Sequence, residues 1–251
     1  MFDLHTHILP EVDDGAESFE DAFATIDLMI KNDVKGVCLT PHQSWEKSND
    51  FEKRILPAYG DFKTKISNVF PDFEMKLGAE IMCDADALQK PFCIEGTRFF
   101  ITEFSPFTMI TKAALEIIFD AQLKGFKPVI AHIERYRETE NINEVKEWLN
   151  RGFILSINAE SIINYDSKTS LAWELLTSGF IHIVASDTHG MRKKRPLLFE
   201  AYRFISKEWN RKTADLLCCE NPRMVTDGEL PVLPEAKEKK NWFQKIIKGN
   251  R

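Results

Sequence analysis

The chain has 251 residues, 33 Lys plus Arg against 39 Asp plus Glu, and a formal net charge of −6. A hydrophobic share of 43% with 29% charged residues fits a globule with a sizeable core, in one large α/β domain or two small ones. The acidic balance argues against nucleic acid as a partner, no apolar run reaches the roughly 20 residues of a membrane span, no signal-peptide pattern opens the chain, and five cysteines without framework spacing point to a reducing cytosol.

The chain opens FDLHTHILPEVDDG. Alternation over residues 2–7 puts Phe2, Leu4 and Thr6 on one strand face and Asp3, His5 and His7 on the other, where two imidazoles at i and i+2 can reach one metal ion. Pro10 ends that strand, and a carboxylate turn, Asp13-Asp14-Gly15, follows. SFEDAFATIDLMIKND (18–33) has helical apolar spacing, and VKGVCLT (34–40) is a β-rich run ending in Thr40-Pro41-His42. A helix over about 50–68 leads to FEMKLGAE (73–80), ending at Glu80, and RFFITEF (98–104) contains Glu103 near its end. TKAALEIIFDAQLKG (111–125) is a helix stopped by glycine, and KPVIAHIER (127–135) carries His132. After a helix near 141–150, GFILSIN (152–158) ends at Asn158. A helix near 168–178 precedes FIHIVASDTH (180–189), which ends at Asp187 and His189, and a last helix covers 197–208.

Seven strands alternating with helices, with no Ser/Gly-rich linker between them, predict a parallel sheet closed or nearly closed into one barrel. In such folds chemistry gathers at the C-terminal strand ends. Of the six histidines only His182 falls inside a strand, where it reads as a core or sheet-face residue. The candidate metal ligands are therefore His5, His7, Asp14, His42, Glu80, Glu103, His132, Asp187 and His189. Five imidazoles and four carboxylates are too many for one ion and suit two or three. Mixed N/O donors fit Mn²⁺, Zn²⁺ or Fe²⁺, and ions about 3.5–4 Å apart suit phosphoryl hydrolysis. A cysteine-dependent phosphatase is excluded by counting: six positions after the five cysteines stand Ser44, Gln89, Phe99, Met224 and Val225, none an arginine.

HTH with LP-x₂-DDG, TPH, GAE, EF, AHIERY, SDTH and the late ENPRMV resemble the PHP (polymerase and histidinol phosphatase) superfamily, and within it the bacterial tyrosine-protein phosphatases of capsule and exopolysaccharide clusters. The resemblance spans roughly residues 1–225. It implies a distorted (β/α)₇ TIM-like barrel with a trinuclear site, usually supported by manganese. It groups His5, His7, Glu80 and Asp187 on one ion, Glu80, Glu103 and His132 on a second, and Asp14, His42 and His189 on a third. It implies phosphate contacts for Arg135 and Arg195, although MRKKRP is a residue longer after the histidine than the usual loop. Arg192, Lys193 and Lys194 read as a solvated run. The implied reaction is water attack on phosphotyrosine without a covalent enzyme intermediate, with His42 and His189 as alternative helpers of the leaving group. The implied substrate is a tyrosine kinase regulating capsular or exopolysaccharide synthesis, met in the cytoplasm at the inner face of the membrane. A phosphatase of a small phosphomonoester such as histidinol phosphate, and a non-catalytic metal-binding scaffold, are the competing readings.

Two features stand apart. Trp45, beside the site in Gln43-Ser44-Trp45, is either a stacking platform for a phenyl ring or a loop anchor. The segment 235–251 follows the phosphatase domain (1–234) with six basic and two acidic side chains. Its Trp242, Phe243, Ile246 and Ile247 share one helical face, so it suits either peripheral contact with an anionic membrane or packing on the barrel. Oligomeric state has no signal in the sequence.

Overall fold

The short β-branched and aromatic runs pair in parallel in a computed structural model that describes residues 1–43, 48–105, 107–163 and 167–237. Its strands are β1 (Phe2–Thr6), β2 (Gly36–Leu39), β3 (His42–Gln43), β4 (Glu74–Leu77), β5 (Glu80–Met82), β6 (Phe99–Glu103), β7 (Lys127–Ile130), β8 (Ile154–Asn158) and β9 (Ile183–Ala185). One sheet runs β1-β2-β4 and the other β3-β5-β6-β7-β8-β9. Two of the seven expected strands are each split in two. Pro41, which has no N–H to donate, stands between β2 and β3, and Gly78-Ala79 stands between β4 and β5. Bonds from Gly78 N–H to the Leu39 carbonyl (2.8 Å) and from Glu80 N–H to the Pro41 carbonyl (3.2 Å) carry the pairing across the break. Glu80 therefore opens β5, where the sequence reading had it closing a strand.

The ring is completed where β9 returns to β1. Asp187 N–H donates to the His5 carbonyl at 3.0 Å and His7 N–H to the Thr188 carbonyl at 2.8 Å, with a parallel bridge between Thr6 and Thr188. The result is the expected distorted (β/α)₇ barrel. Strict alternation in β1 fails, because Asp3 opposes Val37 whereas Thr6 opposes Leu39, so one extra residue lies between them. Phe2 and Leu4 pack in a small apolar cluster with Cys38, Ile101, Ala131 and Ala185, while their strand neighbours Leu39, Phe100, Ile130 and Val184 pack in the larger core that includes the helices. Asp3, expected beside the histidines, instead accepts from Ser186 N–H at 2.9 Å and leaves the ligand cluster.

The helices are α1 (Phe19–Lys31), α2 (Ser48–Val69), α3 (Lys112–Leu123), α4 (Ile142–Asn150), α5 (Ala159–Ile163), α6 (Ser167–Thr177), α7 (Leu198–Glu208), α8 (Arg211–Asp215) and α9 (Asn221–Thr226). Ser18, Thr111 and Asn141 cap α1, α3 and α4 by accepting backbone N–H bonds. The short α5, α8 and α9 escape a reading by periodicity because five or six residues do not complete two turns. His182 is a core residue, as expected: its Nδ1 accepts from Leu155 N–H at 3.1 Å, and burial lowers its pKa to about 4.

Fully buried Asn221, from the ENPRMV stretch, donates through Nδ2 to the carbonyls of His182 and Val232, both at 2.7 Å, and accepts from Val232 N–H at 3.0 Å. It ties the following segment to the barrel. That segment continues to Lys237, whose N–H donates to the Thr177 carbonyl at 2.8 Å and whose ammonium lies 5.0 Å from the Trp173 ring centroid. The first residues of the basic segment thus pack on α6, while Trp242, Phe243, Ile246, Ile247 and also Trp45 lie outside the described residues.

Replacing Asn221 by alanine leaves buried carbonyls unsatisfied and should cost about 2–3 kcal/mol. A thermal melt is expected to fall by roughly 4–10 °C, while an unchanged melt would mean the clamp contributes nothing.

Candidate metal centre

All nine candidate ligands meet at one end of the barrel. His5 Nε2 and His7 Nε2 are 3.0 Å apart, and Glu80 Oε2 lies 3.3 Å from the first and 3.1 Å from the second. Asp187 Oδ1 stands 3.7 Å from His5 and 3.4 Å from His7. On the other side of Glu80, Oε1 is 2.7 Å from His132 Nε2, and Glu103 Oε2 is 3.7 Å from the same nitrogen. His42 Nδ1 lies 3.2 Å from Glu80 and 3.5 Å from Glu103. At the rim Asp14 Oδ1 is 3.4 Å from His42 and 3.7 Å from His189. Three sets bring ligand atoms within 4.8 Å of one another: His5, His7, Glu80 and Asp187; His42, Glu80 and Glu103; and His7, Asp14, His42 and His189. They follow the expected grouping with His7 and His42 shared more widely, and with His132 reaching the centre through its short contact to Glu80.

The donor set fits divalent ions. His5 and His7 aim ring nitrogens at the same point, and the buried His42 Nδ1 makes no hydrogen bond although a carboxylate oxygen is nearby. Nitrogen and oxygen donors without a thiolate suit Mn²⁺, Zn²⁺ or Fe²⁺. Burial would raise the Glu80 carboxyl, but the imidazoles of His5 and His132 outweigh it and hold Glu80 well below the usual range. Burial would likewise raise Asp187, and His5 with Lys194 reverses the sign.

Backbone shape delivers these groups. His132 (φ 35°) and Asp187 (φ 52°) both take the left-handed region that non-glycine residues rarely occupy, so the chain turns sharply just past β7 and β9. In the turn after β1, a Cβ on Gly15 would stand 1.8 Å from the His7 carbonyl oxygen, so only glycine fits.

Asp187 Oδ2 receives three donors: Arg135 at 2.8 Å, Lys194 at 2.8 Å and Asn158 Nδ2 at 2.9 Å. Arg135 is therefore beside the candidate ligands. Arg195 is not: 60% exposed, it pairs with Glu200 at 3.1 Å on the surface. Lys194, one position earlier, points inward onto Asp187, against the expectation of a solvated run. Sequence reasoning also missed Asn158 as a partner of Asp187 and Tyr136, whose hydroxyl accepts from Phe104 N–H at 3.0 Å and lies 3.3 Å from His132 Nδ1. The signal for Lys194 was the spacing from His189, which competed with the spacing to Pro196. Burial raises all five thiols, Cys93 to about 11 and Cys83 to about 12, so none is a nucleophile near neutral pH.

A family model for capsular polysaccharide synthesis, CpsB/CapC, matches residues 1–227. The chain belongs to this family. It is 29% identical over 244 residues to the tyrosine-protein phosphatase CpsB of Streptococcus pneumoniae, covering 92% of this chain and all of that one. It is 28% identical over 232 residues to the tyrosine-protein phosphatase YwqE of Bacillus subtilis, covering 86% and 88%. Among solved structures, one from the work on YwqE and CpsB, described as unique metal-dependent tyrosine phosphatases, superposes with a TM-score of 0.82 at 25% identity over 96% of this chain and all of that one. A histidinol phosphate phosphatase from Lactococcus lactis shares the fold at a TM-score of 0.52 and 17% identity, over 83% of this chain and 94% of that one.

Gly15→Ala should force the 11–16 turn away from His7 and lower the melting temperature by several degrees, on the order of 1–3 kcal/mol of overpacking. Gly60→Ala, in α2 where an added Cβ meets nothing, should raise it by about 1–3 °C. Equal melts for the two variants would contradict the close approach at Gly15.

Proposed function

We propose that this chain is a metal-dependent protein-tyrosine phosphatase acting on phosphotyrosine of a bacterial tyrosine kinase that regulates capsular or exopolysaccharide synthesis. The observation that carries the reading is the convergence of nine ligand-type side chains at one end of the barrel, where two cations, Arg135 and Lys194, meet one of them, the buried Asp187. His5, His7, Glu80 and Asp187 would hold one ion, Glu80, Glu103 and His132 a second, and Asp14, His42 and His189 a third. Manganese fits this N/O set, as do zinc and ferrous iron. Bound ions supply Lewis acidity and lower the pKa of water.

The chain's own groups do the rest. Arg135 spends one N–H on Asp187, leaving the remainder of its planar fork for phosphoryl oxygens. Lys194 offers a second cation from the loop after β9. Tyrosine leaves with a pKa near 10, so it needs little help from a general acid. His42 and His189, with side chains 26% and 17% exposed, are the imidazoles nearest solvent, and one of them could pass a proton to the departing oxygen only through a ring nitrogen that holds no ion. Among the described residues no helix is long and apolar enough to cross a membrane. The kinase would be met at the cytoplasmic face of the membrane, with the basic segment 235–251 supplying a peripheral contact there.

Chelation should abolish hydrolysis of a phosphotyrosyl peptide and Mn²⁺ should restore it, while thiol alkylation leaves most activity. Activity in a verified metal-free preparation would overturn the reading, and faster turnover of histidinol phosphate than of the peptide would reassign the substrate.

Arg135→Lys should lower kcat/KM by roughly ten- to a thousandfold, about 1.4–4 kcal/mol, with metal content unchanged. Lys194→Ala should lower it by about tenfold or more, and Arg195→Ala by less than about twofold because its pair is on the surface. The reverse order for Lys194 and Arg195 would return the phosphate contact to the arginine.

A further inference from the structure

The carboxylate turn holds two aspartates, and only Asp14 has an assigned part. Its neighbour Asp13 faces inward, its side chain 6% exposed. Oδ2 lies 2.9 Å from His7 Nδ1 and accepts the His42 backbone N–H at 3.0 Å, while Oδ1 accepts Gly15 N–H at 2.9 Å. Three donors from three parts of the chain therefore converge on one carboxylate.

The consequence lies on the far side of the His7 ring. A neutral imidazole carries one N–H, and a carboxylate can only accept. Asp13 therefore keeps the proton on Nδ1. Nε2 is left with its lone pair, and it is Nε2 that faces His5 Nε2 at 3.0 Å, Glu80 at 3.1 Å and Asp187 at 3.4 Å. The same carboxylate fixes the first residue of β3, so the His7 and His42 rings stand with centroids 4.4 Å apart. Histidine ligands are commonly oriented in this way by a carboxylate behind them.

We propose that Asp13 is a positioning residue, which locks His7 in the Nδ1–H tautomer and ties His42 to it so that both present nitrogen lone pairs to the metal centre. The proposal rests on the metal-dependent reading above. Asparagine is the informative substitution because it keeps the shape. If its oxygen faces His7 and His42, its NH₂ opposes Gly15 N–H. If its NH₂ faces them, it opposes His42 N–H and stabilises the other His7 tautomer, with the proton on Nε2. Either arrangement leaves one donor facing another.

The test uses the full chain, stripped of metal and titrated with Mn²⁺ while free Mn²⁺ is followed by electron paramagnetic resonance. Asp13→Asn should bind at least one ion about 10- to 100-fold more weakly than the wild type. Its metal-free melting temperature should stay within about 5 °C of the wild type, a shift of roughly one to two kcal/mol. In the Zn²⁺-loaded state, nitrogen-15 spectra of the histidine rings should report Nδ1–H for His7 in the wild type and a loss of that state in the variant. Wild-type Mn²⁺ affinity in Asp13→Asn, or an unchanged His7 ring spectrum, would overturn the proposal while leaving the metal centre standing. An unfolded metal-free variant would also overturn it, assigning Asp13 to the fold. A wild type that takes up no Mn²⁺, Zn²⁺ or Fe²⁺ would remove the metal reading and the proposal together.

Discussion

Glu80 and Asp187 are each 1% exposed and lie against the same two histidines, which places two negative charges side by side out of water. An uncompensated buried ion costs several kcal/mol, and the interior tolerates such a pair only if positive or polarisable groups surround it. The local architecture answers that demand. Imidazoles crowd Glu80 on both sides, and Asp187 divides its two oxygens between a cationic side, with Arg135 and Lys194, and a histidine side. The same grouping that makes two buried carboxylates tolerable makes a site able to take divalent cations and to meet a phosphoryl dianion.

Irregular backbone is what delivers the groups. A regular strand through residues 74–82 would pair without a break, whereas the interruption at Gly78-Ala79 starts β5 at Glu80 and sets it opposite His42 in the register of β3. The left-handed residues His132 and Asp187 do the same past β7 and β9, trading backbone strain of order 1–3 kcal/mol for side-chain placement. The extra residue in β1 belongs to the same set of devices, since it separates Asp3 from the histidines that follow.

The seven-strand barrel and the gathering of the nine candidate ligands were legible in the sequence because both depend on local patterns: short apolar runs at regular intervals, and polar residues just past them. The motifs that resemble the phosphatase family put those positions in order. The split strands were not legible, since Pro41 and Gly78 read as ordinary ends of runs until the partners across the break are known. The inward lysine was hidden for a similar reason. In MRKKRP four consecutive basic side chains differ only in which way the loop turns them, and Gly190, at φ 92° with Asp21 Oδ2 where a Cβ would sit, sets that turn through contacts 170 residues away. Asp13 was visible as a residue and silent as to its partners. Two adjacent aspartates look alike in one dimension, yet one is buried against His7 while the other stands 68% exposed at the rim.

The seam between the first and last strands also sets an order in time. His5 and His7 leave the ribosome early, whereas Asp187 and His189 come 180 or more residues later, and at about 5–20 residues per second that gap lasts roughly 10–40 s. By the end of that interval β1 has β2 and β4 on one side and an open edge on the other, and the nascent chain carries seven of the nine candidate ligands without the last two, Asp187 and His189. Closure belongs to the end of translation, and a chain cut short before Asp187 would expose an unpaired strand edge beside two histidines, a species suited to recognition by chaperones and proteases.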